Sequence, residues 1–295
     1  MNRILKAVLQ PRYAFDSIML KSGLLSDKQY IDILYKRIFR HRINWEDPKT
    51  FNEKLNWLKI HDHNPLYSQL ADKYAVKDYV SKKIGADYVV KNYGVWDTPE
   101  SINVNNLPKQ FVFKTTHDSG GVIICKDKEV FDFKAAKQKL LMELRSSHYQ
   151  NNKEWVYKNI CPRIIADQLL EDGTGHELTD YKFWCFNGVP KIMYITNKGS
   201  KIYENFYDMD FRPVDLNHGF ERKKPEYECP QNFELMKELA SILSCDIPFV
   251  RVDFFDINNK VYFGEFTFYD WGGMQPFCKY ETDLQIGSWL NLPHL

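Results

Sequence analysis

The sequence predicts an α+β protein in which helices come first and antiparallel strands dominate the remainder. Up to about Tyr67 the apolar residues recur at helical spacing, and no strand pattern is present. From Ala86 onward, short runs rich in β-branched and aromatic residues alternate with turn signals. Two of these turns, Asn187–Gly188 and Lys198–Gly199, separate consecutive strand-like runs and favour antiparallel pairing.

The N-terminal part contains three predicted helices. The first, "DKQYIDILYKRIFR", follows from its apolar spacing alone. The second, "TFNEKLNWLKIHD", begins with Thr50 as N-cap and has Glu53 three residues later, which makes a capping box. The third, "LADKYAVKDYVSKKIG", ends at Gly85, a residue suited to a helix C-terminus. We therefore expect a helical segment over residues 1–70 and a second domain over residues 71–295.

The second domain is predicted to mix many strands with two helices. The helices are "DFKAAKQKLLMELR" and "NFELMKELASIL", each with an apolar face. The predicted strands, in order, are "YVVKNYGVW", "QFVFKTT", "GVIICKD", "PRIIADQLL", "DYKFWCF", "KIMYITN", "KIYENFYD", "FVRVDFFDI" and "VYFGEFTF".

Charge and composition exclude several classes of protein. Forty basic and thirty-nine acidic side chains leave a net charge of +1, which argues against a nucleic-acid binder that works by bulk electrostatics. The first apolar run is broken by Lys6 and stopped by Pro11, which makes it too short for a signal peptide or a membrane span; a weak interfacial helix stays open.

Six cysteines without a C-x-x-C pair indicate reduced thiols and no zinc site. We expect a cytoplasmic protein, with peripheral association at the inner membrane face left open.

The stretch "FKTTHDSGGVIIC" has two readings when taken by itself. Strand-like runs flank a small glycine-containing turn, as in an ordinary hairpin. Lys114 just upstream of Gly120–Gly121 also suits a loop that covers phosphates, because glycine lets backbone N–H groups approach an anion.

The last two strands carry four polar side chains whose placement depends on the register of the hairpin. If residues 258–260 form a three-residue loop, Ile257 pairs with Val261, and Asp253 then faces Glu265. A two-residue loop would shift the register by one and separate the two carboxylates.

In the three-residue register, Arg251 faces Thr267 on the same side of the sheet. Opposed carboxylates repel each other and need a cation, a shared proton or water between them. Hard oxygen ligands suit Mg²⁺, which prefers one or two carboxylates together with substrate phosphates. The alternative is that Asp253 and Glu265 face solvent and pair with Arg251 or a lysine.

With these motifs in order, the chain resembles the TupA-like ATP-grasp family, found in teichuronopeptide and surface-polysaccharide biosynthesis. The matching motifs span about Thr50 to Gly273: "TFNEKLNWLK", "LADKYAVKDYV", "FVFKTTHDSGG", "PRIIADQLL", "LTDYKFWCFNG" and "RVDFF…GEFTFYDWGG". The resemblance implies an ATP-grasp fold over residues 71–295, in which two α+β subdomains with antiparallel sheets hold ATP between them. It also implies ATP and Mg²⁺ as cofactors.

The resemblance further implies which residues contact the nucleotide. Two lysines would reach the phosphates, a glycine loop would close over them, and the segment after "PRII" would hold the adenine. The residues so implied are Lys73 (within the predicted third helix), Lys114, Ser119, Gly120, Gly121, Asp167, Gln168, Leu169, Leu170 and, near nucleotide or metal, Lys182.

For the metal, the resemblance implies Asp253 and Glu265, with Thr267 in place of the family's usual asparagine. Arg251 and Lys114 would act on developing negative charge. The implied reaction begins when a substrate carboxylate attacks the γ-phosphate of ATP and gives an acyl phosphate and ADP. An amine then displaces phosphate and forms an amide. The implied partners are a small molecule or glycan bearing a carboxylate, for example a uronic acid, and an amine acceptor.

Other functions stay open at this point. "YDMDF" contains Asp208-Met209-Asp210, a D-x-D pattern that binds metal in some glycosyltransferases, although we interpret it as a loop. A phosphotransferase of the same pathway, or an inactive ATP-grasp relative that only binds, would share most of these motifs. The helical first 70 residues replace the Rossmann-like domain of most ATP-grasp ligases, so the substrate cannot be inferred by analogy.

Overall fold

The computed structural model describes residues 11–118, 120–174, 177–196 and 201–294. Ser119 and the predicted turn at Lys198–Gly199 lie outside the described residues. Within them the α-helices are α1 (Pro11–Lys21), α2 (Asp27–Phe39), α3 (Phe51–His61), α4 (Pro65–Ala71), α5 (Val76–Ile84), α6 (Phe133–Leu144), α7 (Tyr149–Asn152), α8 (Phe233–Leu243) and α9 (Tyr280–Trp289).

The strands form two antiparallel sheets. The first sheet has the order β1-β4-β2-β3 and consists of β1 (Asn92–Trp96), β2 (Phe111–Thr115), β3 (Ile123–Cys125) and β4 (Ile164–Asp167). The second has the order β7-β6-β5-β8-β9 and consists of β5 (Asp180–Phe186), β6 (Val189–Thr196), β7 (Glu204–Tyr207), β8 (Phe249–Ile257) and β9 (Lys260–Thr267). The predicted α+β class, with two antiparallel sheets after a helical segment, is confirmed.

Capping residues explain where the N-terminal helices begin and end. The capping box of Thr50 and Glu53 is present at the start of α3, as predicted. The single helix predicted through "LADKYAVKDYV" is wrong, because the backbone N–H groups of Tyr74 and Ala75 donate to the Asp72 side chain. This aspartate turn ends α4 and starts α5, so Lys73 lies in the turn between two helices.

The N-terminal helices and the second sheet share one hydrophobic core. The ring of Phe51 in α3 lies 5.2 Å from the ring of Trp184 in β5 and 4.9 Å from that of Phe249 in β8. Leu55 and Leu70, from α3 and α4, are buried in the same cluster. The domain boundary at residue 70 stays a prediction. Helices α3 and α4 pack into the same core as the strands of the second sheet.

The three-residue loop predicted between β8 and β9 is wrong. Ile257 pairs with Lys260, so only Asn258 and Asn259 form the turn. Both have positive φ, 50° and 64°, as in the type I′ turn whose twist matches that of paired strands. Asparagine tolerates this left-handed backbone better than most residues, which explains the choice of turn.

A β-bulge then changes the register farther along the same hairpin. Phe254 pairs with Phe263, whereas Val252 pairs with Phe266, so Gly264 and Glu265 both lie opposite Asp253. A Cβ at Gly264 would approach the Asp253 carbonyl oxygen to 3.0 Å, a contact that only glycine avoids. The bulge restores the predicted pairing of Arg251 with Thr267 and keeps Asp253 beside Glu265.

The length of the turn can be tested by placing glycine at its two candidate left-handed positions. In a two-residue turn, Asn259→Gly relieves backbone strain and should raise the free energy of unfolding by up to about 1 kcal/mol. Lys260→Gly removes a strand residue and should lower it by about 0.5–1 kcal/mol. Urea unfolding of both variants measures the two changes. A three-residue loop would reverse the two signs.

Candidate functional site

Arg251 lies at the centre of a mostly buried charge cluster on the second sheet. Its Nε and one terminal nitrogen donate to the two oxygens of Asp253, each at 2.7 Å. The same terminal nitrogen lies 3.1 Å from Glu265 Oε1, and the other lies 2.7 Å from Asp270 Oδ1. Three carboxylates from β8, β9 and the turn after β9 thus converge on one guanidinium.

Lys182 on β5 adds a second cation and brings in Asp180. It lies directly opposite Asp253 in the sheet, and its ammonium donates to Asp253 Oδ2 at 2.8 Å and to Asp180. Although burial alone would raise the pKa of Asp253, the charges of Arg251 and Lys182 hold it below its ordinary value. Burial raises the pKa of Asp180. Its Oδ1 is buried and has no hydrogen-bond partner among the described residues.

The cluster extends from Arg251 to β6. Tyr194 donates its hydroxyl hydrogen to Asp270 Oδ1 at 2.8 Å, and Arg251 lies 3.2 Å from the same hydroxyl. Burial, the largest cause, raises the pKa of Tyr194 well above its ordinary value. The hydroxyl therefore stays a neutral donor that helps to orient Asp270.

A second group of charges lies on the first sheet around Asp167. This carboxylate is nearly fully buried at the end of β4, and it lies 3.4 Å from the Lys114 ammonium of β2 and 3.1 Å from that of Lys77 in α5. Asn92 of β1 donates to the same side chain at 3.0 Å. Burial lowers the pKa of Lys77, and Asp167 opposes that effect.

Lys73 is held by the loop that follows β2. Its ammonium donates to the Thr115 carbonyl at 3.1 Å, to the Asp118 carbonyl at 2.5 Å and to Asp118 Oδ1 at 2.7 Å. Gly121 has φ of 57°, and a Cβ there would meet Thr115 Oγ1 at 2.9 Å. The glycine loop therefore folds tightly over the end of β2, and Lys73 ties it to the turn between α4 and α5.

One narrow cleft lies between the loop that follows β2 and the bulge of β9; Glu265 of the Arg251 cluster lines it, whereas Lys114 and Asp167 do not. Lys73 and Asp118 line it from one side, and Gly264 and Glu265 of the bulge line it from the other, with Tyr157 at its wall. The structure thus brings a predicted phosphate-binding lysine within one cleft of a predicted metal carboxylate. A wider depression bounded by Met209, Leu235 and Ser241 includes none of the predicted site residues.

The remaining predicted contacts are less closely joined to this cleft. After Asp167, the backbone N–H of Gln168 donates to the Lys91 carbonyl at 2.8 Å, while Leu169 and Leu170 are half-buried. Thr267 lies at the end of β9 opposite Arg251 and is half-buried. Gly120 is exposed.

The donor set suits a magnesium ion held by few protein ligands. Glu265 offers hard oxygen atoms, and its side chain is 43% exposed towards the cleft. Both oxygens of Asp253 accept hydrogen bonds from Arg251, and one also accepts from Lys182, so a metal would share this carboxylate with the two cations. Within the described ranges, no three His, Cys, Asp or Glu side chains are arranged to hold a metal ion by themselves. That arrangement is compatible with Mg²⁺, which commonly binds one or two carboxylates and completes its shell with phosphates and water.

The D-x-D pattern is a turn, in agreement with our interpretation. Asp208 Oδ1 accepts hydrogen bonds from the backbone N–H groups of Asp210 and Arg212, both at 2.9 Å. The Arg212 guanidinium pairs with both carboxylates, at 2.8 Å and 2.5 Å. These carboxylates cap a surface turn and are engaged by an arginine.

Sequence reasoning missed four members of the two charge groups. Lys77 lies four residues after Lys73, and Asp180 two residues before Lys182 on the same face of β5. The spacing of Asp180 and Lys182 was an available signal for a shared sheet face, whereas Lys73 and Lys77 do not share a helix, because Lys73 lies in the turn before α5. Asp270 and Tyr194 carried no local signal, because they meet Arg251 only through the fold.

Comparison with known proteins supports a family assignment. A family model described as "TupA-like ATPgrasp" matches residues 53–291. None of the curated proteins matches the chain. Among the described residues, no helix combines the length and apolar character needed to span a bilayer.

Solved structures with a similar arrangement include several ligases. A D-alanine–D-alanine ligase from Bacillus anthracis complexed with ATP has 14% identity and a TM-score of 0.38, over 73% of this chain and 55% of that one. A RimK domain ATP-grasp protein from Sphaerobacter thermophilus has 12% identity and a TM-score of 0.43, over 75% and 68%. The chain thus spans just over half the length of the first. With scores below 0.5, nothing about activity follows from these likenesses.

Removing the Asp167 carboxylate, which lies between Lys77 and Lys114, should destabilise the fold because the two partly buried lysines lose their counter-charge. Asp167→Asn leaves Lys77 and Lys114 without a counter-charge and should lower the free energy of unfolding by about 2–4 kcal/mol near pH 7. In the variant, the pKa of Lys77 falls further below about 10.4, the value that a lysine has in the unfolded chain. Between these two pKa values the unfolded chain binds more protons than the folded chain. Stability therefore rises with pH there, and the deficit should shrink at about pH 10.

Urea unfolding of wild type and variant at both pH values measures this effect. The matched control is Asp78→Asn, which breaks an exposed 2.6 Å pair with Lys82 on α5 and should change stability by less than about 0.5 kcal/mol. A deficit that stayed constant with pH would contradict the role assigned to Lys77.

Proposed function

Since the family model covers most of the chain, the chain belongs to the TupA-like ATP-grasp family, and we propose that it is an ATP-dependent carboxylate–amine ligase. The observation that carries the proposal is the cleft between the two sheets. It has Lys73 and Asp118 on one side and, on the other, Glu265, which Arg251 contacts from behind. A cation suited to phosphate therefore faces a carboxylate suited to its metal.

In this proposal the first sheet binds the nucleotide. Lys73 and Lys114 contact the phosphates, and backbone N–H groups of the loop containing Gly120 and Gly121 cover them. The segment from Asp167 to Leu170 lies at the end of β4, where backbone groups can pair with the adenine edge. Lysine suits the phosphates because its compact charge can face any oxygen.

The second sheet supplies the metal ligands and the charge that acts on the reacting atoms. Asp253, Glu265 and Thr267 would hold Mg²⁺, which neutralises charge on the β- and γ-phosphate oxygens when bound. Arg251 is fixed by carboxylates on three sides, so its guanidinium needs little reorganisation to stabilise negative oxygen atoms. Lys182 holds Asp253 from the opposite side.

The reaction we propose has two steps. An oxygen of the substrate carboxylate attacks the γ-phosphorus, the bond from that phosphorus to the bridging oxygen breaks, and ADP leaves. An amine then attacks the acyl carbon, its proton is lost, and the carbon–oxygen bond to phosphate breaks, which yields an amide and inorganic phosphate. Arg251 and Lys114 act on the oxygen atoms that gain charge in these steps.

For the substrate, we propose a uronic-acid-containing or related surface-polysaccharide precursor and an amine acceptor. The support is the family resemblance of the ordered motifs together with the family match. We further propose a cytoplasmic protein that can meet membrane polysaccharide machinery at the inner face of the membrane.

Ligand-induced thermal shifts distinguish this proposal from a glycosyltransferase. We expect the melting temperature to rise with Mg-ATP and to stay unchanged with uridine-diphosphate sugars, because the cleft pairs cations with metal carboxylates. A shift with sugar nucleotides alone would overturn the ligase proposal. A shift with Mg-ATP but no ADP formation with any carboxylate and amine would favour an inactive binding protein.

Removal of one metal carboxylate should abolish turnover, and at the partly exposed Glu265 it should do so without unfolding the protein. We expect Glu265→Gln and Asp253→Asn to lower ADP formation by at least about 100-fold, since each removes a charge that holds the metal. Glu265→Gln is the cleaner test because that side chain is 43% exposed. The control Asp215→Asn changes an exposed carboxylate and should leave the rate unaltered. Full activity of both site variants would mean that the metal assignment is wrong.

The phosphate contact of Lys114 predicts a binding effect. Lys114→Ala should raise the Kd for Mg-ATP by about tenfold, because one charge-assisted contact is lost. Isothermal titration calorimetry measures this change. Lys109→Ala is the control, since that exposed lysine pairs with Asp127 at 3.3 Å outside the cleft.

A further inference from the structure

Helix α3 carries a row of buried polar side chains that bind the chain just after the catalytic hairpin. Asn52, Asn56 and Lys59 recur at helical spacing and are at most 2% exposed. The Asn52 amide donates to the Gln275 carbonyl at 3.2 Å, and the Asn56 amide donates to the Gly273 carbonyl at 2.7 Å. The buried face of a helix normally carries apolar side chains, so a row of three polar side chains at this face points to a specific role.

Lys59 makes the closest of these contacts. Its ammonium donates to the Gly272 carbonyl at 2.6 Å, to Asn56 Oδ1 at 2.9 Å and to the Asn152 carbonyl at 3.0 Å. The three acceptors match the three hydrogens of the ammonium, so the buried charge is fully hydrogen-bonded. Burial still lowers the pKa of Lys59 to about 8. A methionine would fill similar space but would leave these oxygen atoms unpaired.

The turn that these side chains hold has an unusual backbone. Trp271, Gly272 and Gly273 have φ of 48°, 62° and 60°, three consecutive left-handed residues. Tryptophan is not suited to this conformation, which costs about 1–2 kcal/mol for a residue with a Cβ. A Cβ at Gly272 would collide with the Asn152 amide. The surrounding contacts therefore have to impose the turn.

The turn starts at Asp270, one of the carboxylates that fix Arg251. Asp270 Oδ1 lies 2.7 Å from the Arg251 guanidinium, and the side chain is almost fully buried. Asp270 is two residues from Gly272, whose carbonyl Lys59 binds. A shift of the turn therefore moves Asp270 and removes one of the three supports of Arg251.

We propose that Lys59 and Asn56 are positioning residues that set the Asp270–Gly273 turn and, through Asp270, the orientation of Arg251. The helical segment before the two sheets thereby becomes part of the catalytic apparatus. The catalytic consequence rests on the proposed ligase function, whereas the effect on the turn does not.

The same helix provides a matched control. Lys54 donates to the carbonyls of Gly287 and Leu290 in and after α9, at 2.8 Å and 2.7 Å. It is thus another lysine of α3 that binds two backbone carbonyls, but these belong to the end of the chain around α9 and not to the Asp270–Gly273 turn. Lys54→Met should cost stability in a similar way and leave the turn in place.

The first measurement reports on the conformation of the Asp270–Gly273 turn. The protein is labelled with 5-fluorotryptophan, and the fluorine resonance of Trp271, which is 38% exposed, is assigned with Trp271→Phe. We expect Lys59→Met and Asn56→Ala to shift or broaden that resonance, and Lys54→Met to leave it unchanged. Asn56→Ala removes one contact only, so it keeps the test available if Lys59→Met does not fold. An unchanged Trp271 resonance in folded Lys59→Met and Asn56→Ala would overturn the proposal.

The second measurement separates positioning from stability. At temperatures where each variant is fully folded, Lys59→Met and Asn56→Ala should lower kcat for ADP formation about 10–100-fold, because small misplacements of catalytic groups have effects of that size. KM for Mg-ATP should change less than about twofold, since Lys114 lies on the first sheet and Lys73 in the turn between α4 and α5. Lys54→Met should retain wild-type kcat. Equal losses in Lys54→Met and Lys59→Met would overturn the proposal.

The outcomes also distinguish the inference from the function on which part of it rests. If the wild type formed no ADP with any carboxylate and amine, the proposed ligase function would be wrong. The fluorine spectra alone would then decide whether Lys59 and Asn56 set the turn.

Discussion

The guanidinium of Arg251 binds three carboxylates in a mostly buried site, and the geometry of the second sheet depends on this cluster. Its partners come from its own strand, from the neighbouring strand and from the turn beyond. A buried charge without its partner costs several kcal/mol, so an error in any of the three elements would leave an expensive unpaired group. The strand pairing, the bulge and the turn are therefore constrained together, and the same constraint leaves Arg251 preorganised for chemistry on oxygen anions.

Two local requirements conflict in the last hairpin, and the bulge reconciles them. The two asparagines favour a two-residue turn, but a simple ladder from that turn would put Arg251 out of register with Thr267. One extra residue on β9 corrects the count, and Gly264 allows the close approach to the Asp253 carbonyl. The sheet therefore obtains both a favourable turn and a convergent set of side chains, at the cost of one disrupted pair in the ladder.

Features set by neighbouring residues could be predicted from the sequence, and features set by distant contacts could not. The capping box at Thr50 and the two antiparallel sheets follow from short-range patterns. The predicted loop length was wrong because asparagine suits both loop types, and the one local signal of the bulge, Gly264 within a strand-like run, was not used. The break at Asp72 was missed because the residues around it have good helix propensity. Asp270 meets Arg251 only after nineteen residues have folded back across the hairpin.

The two lysines that we propose as phosphate ligands already have anionic partners within the chain. Asp118 pairs with Lys73, and Asp167 pairs with Lys114. Any incoming anion therefore competes with a carboxylate, and its net gain is the difference between two ion pairs. An anion with a single dispersed charge, such as a carboxylate metabolite or a buffer ion, gains little from such an exchange. A triphosphate brings several charges to the same lysines and gains much more. Under the proposed function, the built-in carboxylates would act as a filter on charge density, so that a cleft handling carboxylate substrates would keep its phosphate subsite for the nucleotide.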